Sequence, residues 1–134
     1  MSQREITVLT DAVLITCIVQ KDMADEIVNA ARQAGAQGAT ICYARGSGVR
    51  ERLGLLGVAV DVEKEIINIV VASEQADRIF EVMYMAGKLD TPGMGFIYMT
   101  PLEKAATYVP HSVVRKLAIK DSGKTGVFTT ERKP

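Results

Sequence analysis

The 134 residues and 14.5 kDa of the chain suit one domain and leave no room for two full cores. Its 48% hydrophobic and 24% charged residues exclude a disordered segment, and no apolar run reaches the roughly 18 to 20 residues of a membrane-spanning helix. Sixteen Lys and Arg balance sixteen Asp and Glu, which counts against nucleic acid as the main partner, because phosphate binding draws on an excess of cations.

The balance is uneven: from Arg115 to Pro134 six basic residues face only Asp121 and Glu131, so the end of the chain is positive and the rest negative. The opening Met-Ser-Gln-Arg-Glu does not read as a signal peptide, which gives the expectation of a cytoplasmic protein. Cys17 and Cys42 lie inside apolar runs without any CxxC or Cys/His spacing and read as buried free thiols.

In chain order, Ala12 to Val19 is a β-branched apolar run of strand length. Asp22 then stands where a helix cap belongs. Ala24, Ile27, Val28 and Ala31 recur at helical spacing, with Asp25 and Glu26 in the first turn, and Gly35 ends the helix. A second strand is expected over Ala39 to Ala44. After the long segment from Arg45 to Lys64 come a strand over Glu65 to Ala72, a helix capped by Ser73 with Ala76, Ile79, Phe80 and Met83 as its apolar stripe, and Gly87 as its close. Pro92-Gly93 makes a turn into a last strand, Phe96 to Thr100.

These elements repeat. At an offset of 52 residues Ile15 falls on Ile67, Val19 on Val71, Ala24-Asp25 on Ala76-Asp77, Ile27 on Ile79 and Ala34-Gly35 on Ala86-Gly87. Two βαβ-like halves give an α+β chain, the ferredoxin-like βαββαβ fold with two helices on one face of a four-stranded antiparallel sheet. The two inner strands are apolar on both faces, a pattern that requires both faces to be covered. The helices cover one. A second subunit is expected on the other, with the alternative that an amphipathic helix over Pro110 to Ile119 folds back across it.

The segment after the second strand, Arg45-Gly46-Ser47-Gly48-Val49-Arg50-Glu51-Arg52, offers close backbone approach at two glycines and three guanidinium groups against one carboxylate, which suits phosphate oxygens. A flexible glycine hairpin with solvated arginines explains it equally well, and Pro92-Gly93-Met94-Gly95 reads first as a tight turn. No catalytic constellation emerges. His111, the single histidine, has no nucleophile motif beside it, and Asp25/Glu26 and Asp61/Glu63 read as helix-start and loop charges, so the chain is not expected to be an enzyme.

The segments GATICYARGSG, IINIVVASEQADRIFEVMYMAGKL and PGMGFIYMTPLE resemble the PII signalling superfamily over residues 12 to 103. The likeness rests on GxT before the second strand, GxG after it and GxGxI(F/Y)xxP at the last strand. It implies a homotrimer with an adenine nucleotide in each cleft between subunits, ADP or AMP favoured over ATP, with bicarbonate or another small anion as a further ligand. Ile18, Gly38 and Thr40 fall where the family meets the adenine, Gly46 and Gly48 at the start of its mobile loop, about 46–64, and Gly93 and Gly95 on the phosphate-facing turn. Arg50 and Arg52 are the candidates to replace a phosphate-binding lysine for which this chain has Phe96. Arg50 also stands where nitrogen-regulatory members have the glutamine that reads 2-oxoglutarate, so the chain is expected to diverge from that group. Arg52, Leu53, Leu55 and Leu56 are the expected contacts to a protein partner, a membrane transporter among the candidates. On this reading residues 1–103 form the domain and 104–134 an extension, a short helix followed by a tail that is unordered from about Asp121. A trimeric metal-binding or structural protein of the divalent-cation-tolerance type is the rival, and an amino-acid-sensing domain of the same element order is a third.

Overall fold

The structure, a computed structural model, describes residues 4–46, 62–110, 112 and 128–133. Its elements are β1 (Arg4–Leu9), β2 (Ala12–Gln20), α1 (Ala24–Gln33), β3 (Thr40–Gly46), β4 (Val62–Ala72), α2 (Ser73–Ala86), β5 (Gly95–Leu102), β6 (Ala105–Ala106) and β7 (Phe128–Lys133). Two units result, one from 13 to 100 and one from 1–12 with 101–134.

In the first unit the strands form an antiparallel sheet in the order β3-β4-β2-β5, with β3 running from Thr40 opposite Asn68 to Gly46 opposite Val62. This is the expected ferredoxin-like arrangement. Alternation along each strand sends one set of side chains to the helices and the other away from them. Val13, Ile15, Cys17 and Val19 of β2 and Ile67, Ile69 and Val71 of β4 join Ala24, Ile27, Val28 and Ala31 of α1 and Ala76, Ile79 and Met83 of α2 in one buried core. Each fully buried Ile or Val contributes on the order of 1.5 to 3 kcal/mol through its removal from water.

The 52-residue repeat is visible as geometry. When two antiparallel strands are copies of one another, only one pair of equivalent residues can face each other, and that pair marks the pseudo-dyad. Here it is Thr16 and Asn68, 52 residues apart, whose Oγ1 and Oδ1 lie 2.8 Å apart with the buried Thr16 hydroxyl donating.

Helix ends depart from the sequence reading. Asp22 does not cap α1: it sits in the left-handed region at φ +72°, and Met23 takes the N-cap position without a side-chain bond. The missing acceptor comes from β4, where the buried Glu65 carboxylate accepts the Ala24 N–H at 3.1 Å. A carboxylate there also complements the positive end of the helix dipole. Ser73 is the first helical residue of α2 rather than its cap, a position that falls to Ala72. At the other end of α1, Gly35 at φ +113° closes a Schellman motif, with Ala36 N–H on the Ala31 carbonyl and Gly35 N–H on Arg32. In α2 the same pair of bonds forms one residue beyond Gly87, so that Lys88 takes the left-handed position at φ +54°. A Cβ at Gly87 would lie 3.1 Å from Ile27 Cδ1, a tight contact that the flexible end of the isoleucine would have to yield to.

Cys17 is buried as expected, but Cys42 is exposed: β3 is an edge strand and Cys42 lies on the face that the helices do not cover. In the second unit β1 pairs antiparallel with β6 on one side and with β7 on the other, from Arg4 opposite Lys133 to Leu9 opposite Phe128. The expectation of an unordered tail therefore does not hold for Phe128–Lys133, because pairing through the backbone needs no apolar period. Of the expected helix over Pro110 to Ile119, Ser112 is described as helical and the remainder after Pro110 lies outside the described residues.

Candidate functional site

The end of the sheet where β2 finishes gathers most of the candidate residues that the structure describes. The terminal residues of β2 reach in two directions. Gln20 Nε2 donates to the Gly93 carbonyl at 2.7 Å, and Lys21 Nζ lies 3.1 Å from Glu63 Oε2. Through that bond, and to a smaller degree the charge of Asp22, the Lys21 ammonium is held above its ordinary range. Glu63 also stands opposite Arg45 in the β3–β4 register, and Gly46 stands opposite Val62.

Gly95 opens β5 beside β2 at φ +148°, so close that a Cβ would overlap the Ile18 carbonyl oxygen. The turn before it, Thr91-Pro92-Gly93-Met94, has proline at the second position, Gly93 at φ +81° in the third and a Met94 N–H bond to the Thr91 carbonyl at 3.3 Å, the signature of a type II turn. Ile18, Gly46, Gly93 and Gly95 are thus brought to one end of the sheet.

Gly38 and Thr40 are not part of that group. Both are exposed, and Thr40 begins β3 opposite Asn68, a strand's length of about 20 Å from Gly46. Gly48, Arg50, Arg52, Leu53, Leu55 and Leu56 lie outside the described residues.

At the β3–β4 edge of this end opens a cavity of about 340 Å³ lined by Lys21, Tyr43, Ala44, Arg45, Glu63 and Lys64. Three cations meet one carboxylate there, and the Tyr43 ring is 80% exposed. Arg45 belongs to the anion cradle read from the sequence. Glu63, read from the sequence as a loop charge, instead lies in β4 and pairs with Lys21. Gln20, Lys21, Tyr43 and Lys64 carry no motif, and their only signal is that Gln20 and Lys21 are the first polar residues after an apolar strand.

The sheet face away from the helices is apolar around the Thr16–Asn68 pair. Leu14, Ile18 and Ile66 are half-buried on it, Val70 is 49% exposed, and the Phe96 and Tyr98 rings of β5 lie 5.3 Å apart. Among the described residues no group of three or more His, Cys, Asp or Glu is placed to hold a metal ion, and no helix is long and apolar enough to cross a membrane.

The split βαββαβ sheet with both helices on one face defines a ferredoxin-like α+β domain. The chain belongs to the P-II family: the family model described as "Nitrogen regulatory protein P-II" matches residues 12–111. Among solved structures it is similar to PII of Arabidopsis thaliana in a crystal structure bound to citrate, with a TM-score of 0.53, 19% identity, and coverage of 70% of this chain and 79% of that one. No curated protein matches.

Proposed function

We propose that this chain is a PII-like signal-transduction protein that binds an adenine nucleotide and passes the bound state to a protein target. The observation that carries the reading is the convergence of Ile18, Gly46, Gly93 and Gly95 at one sheet end beside a cavity with Lys21, Arg45 and Lys64, in a chain of the P-II family. Backbone N–H groups at glycine turns and nearby cations suit phosphate oxygens. Phe96 follows Gly95 with an exposed ring and no charge, which favours the shorter phosphate chains of ADP or AMP over ATP. Arg50 supplies a guanidinium to the same phosphates.

Thr40 begins β3 a strand's length from the end that holds Gly46, and in this reading a neighbouring copy brings Gly38 and Thr40 to the cleft. A homotrimer does this, and it covers the apolar face of Leu14, Ile18, Ile66, Val70, Phe96 and Tyr98. The segment about 46–64 responds to the ligand, and Arg52, Leu53, Leu55 and Leu56 dock on the target, a membrane transporter or another cytoplasmic-side protein. The chain acts in the cytoplasm as a regulator rather than an enzyme. Bicarbonate or another small anion is a second ligand of the cation-lined cavity.

Calorimetric titration with ATP, ADP, AMP, cyclic AMP and bicarbonate, singly and in pairs, with the mass from light scattering, tests this. One adenine-nucleotide site per subunit of a trimer is the expected result. A trimer that binds none of them refutes the sensor reading, and a monomer refutes the shared cleft.

A further inference from the structure

We infer that Gln20 is a positioning residue of the nucleotide site: its side-chain amide fixes the peptide planes of the Gly93–Gly95 turn that meet the phosphates. The inference rests on the adenine-nucleotide reading above. Gln20 is exposed, yet its Nε2 makes a 2.7 Å bond to the Gly93 carbonyl across 73 residues of sequence. The turn itself is weakly closed. Its internal bond, Met94 N–H to Thr91, is 3.3 Å long, and Gly93 at φ +81° has the widest conformational choice of any residue. Pro92 fixes only its own φ.

In a trans peptide the carbonyl of one residue and the N–H of the next share a plane. Holding the Gly93 carbonyl therefore also orients the Met94 N–H, whose bond to the Thr91 carbonyl closes the turn, and so sets the path of the backbone into Gly95 at the start of β5. A phosphate reads the path of such a turn, because a backbone cradle binds anions only when its donors converge. Gln20 sits on β2 two residues after Ile18, whose carbonyl Gly95 abuts, so one strand end holds both sides of the turn. Adjacent Lys21 bonds Glu63, on the strand that pairs with Gly46.

The test compares wild type, Gln20→Met, which keeps length and loses the donor, and Gln20→Glu, which sets a carboxylate against the Gly93 carbonyl. ADP affinity is measured by calorimetry, and the mass and thermal midpoint of the ligand-free protein are recorded. Loss of one hydrogen bond predicts a Kd for ADP raised about 3- to 10-fold in Gln20→Met and at least as much in Gln20→Glu. Mass is expected to stay at the wild-type value and the ligand-free midpoint to fall by at most about 5 °C, the share of one exposed hydrogen bond. An unchanged Kd in Gln20→Met overturns the inference while the nucleotide reading stands. A raised Kd accompanied by a fall in mass or by a larger fall in midpoint also overturns it, since the residue is then structural. If wild type binds no adenine nucleotide, the functional reading fails and this inference falls with it.

Discussion

Replacing Gly95 with alanine probes the contact on which the β5 side of the site depends. Two penalties combine. The φ of +148° lies outside the range that an L side chain readily adopts, which costs roughly 1 to 3 kcal/mol. The added Cβ overlaps the Ile18 carbonyl oxygen and lies 3.1 Å from Val19 Cγ1, and because the first of these is backbone in an inner strand, relief requires β5 to move. Overpacking of this kind costs about 1 to 3 kcal/mol. The expected loss is therefore roughly 2 to 6 kcal/mol, a large share of the 5 to 15 kcal/mol that holds a typical domain together. Urea unfolding at a fixed protein concentration measures it, and with an m-value of about 2 kcal/mol/M the midpoint falls by on the order of 1 to 3 M. Gly38→Ala is the control: nothing lies within 4 Å of a Cβ there, and the change is expected within about 0.5 kcal/mol of wild type. A Gly95→Ala protein within about 1 kcal/mol of wild type would refute the close-approach argument and return Gly95 to the role of a free hinge.

Three further outcomes follow from the same geometry. Lys88→Gly relieves the left-handed residue after α2 and is expected to stabilise by about 0.5 to 1 kcal/mol in thermal or urea unfolding, the strain relief exceeding the extra freedom of glycine in the unfolded chain. Glu65→Leu leaves the Ala24 N–H without its acceptor and is expected to destabilise by roughly 1 to 3 kcal/mol, whereas Glu65→Gln, which keeps a carbonyl oxygen, loses less; equal losses would contradict the capping role. Burial pushes the Cys17 thiol up to about 11 from its ordinary 9.0, while Cys42 is exposed, so Ellman's reagent at pH 8 is expected to modify one thiol per folded chain and two per unfolded chain. The raised value also sets a direction with pH. The folded state keeps its proton after the unfolded chain begins to lose it, so this contribution to stability is complete below about pH 9 and is lost as pH rises towards 11, visible as a falling urea midpoint.

The elements that repeat were legible in the sequence because burial imposes a period, and the period survives in both halves: Ile15 and Ile67, Ile27 and Ile79 are fully buried at matching places. What could not be read is set by residues distant in sequence. The acceptor at the start of α1 is Glu65, 41 residues away, so Asp22 was the natural local choice and was wrong. The exposure of Cys42 follows from β3 lying at the sheet edge, which an apolar run does not reveal. The pairing of β1 with β7 joins the two ends of the chain, and Phe128–Lys133, with one apolar residue at its start, carries no alternation that would announce it. Within the candidate site, glycines at strand ends were readable as turns, but that Gly46 and Gly93 share an end of the sheet depends on strand order.

The pseudo-dyad shows where the two halves have been allowed to differ. Position 13 and its counterpart 65 both face the core, yet one is Val and the other Glu. Glu65 serves α1, a helix of 10 residues whose own cap residue supplies no side-chain acceptor. Val13 can offer nothing to α2, which also lacks a side-chain cap but runs to 14 residues. A longer helix adds backbone hydrogen bonds and buried surface for the same two ends, so it tolerates an uncapped start better than a short one. The buried carboxylate is thus placed on the half where the helix needs it. Its strand, β4, also carries Glu63 at the candidate site, so the asymmetry that supports α1 and the charge that pairs Lys21 lie two residues apart, on one strand of an otherwise repeated frame.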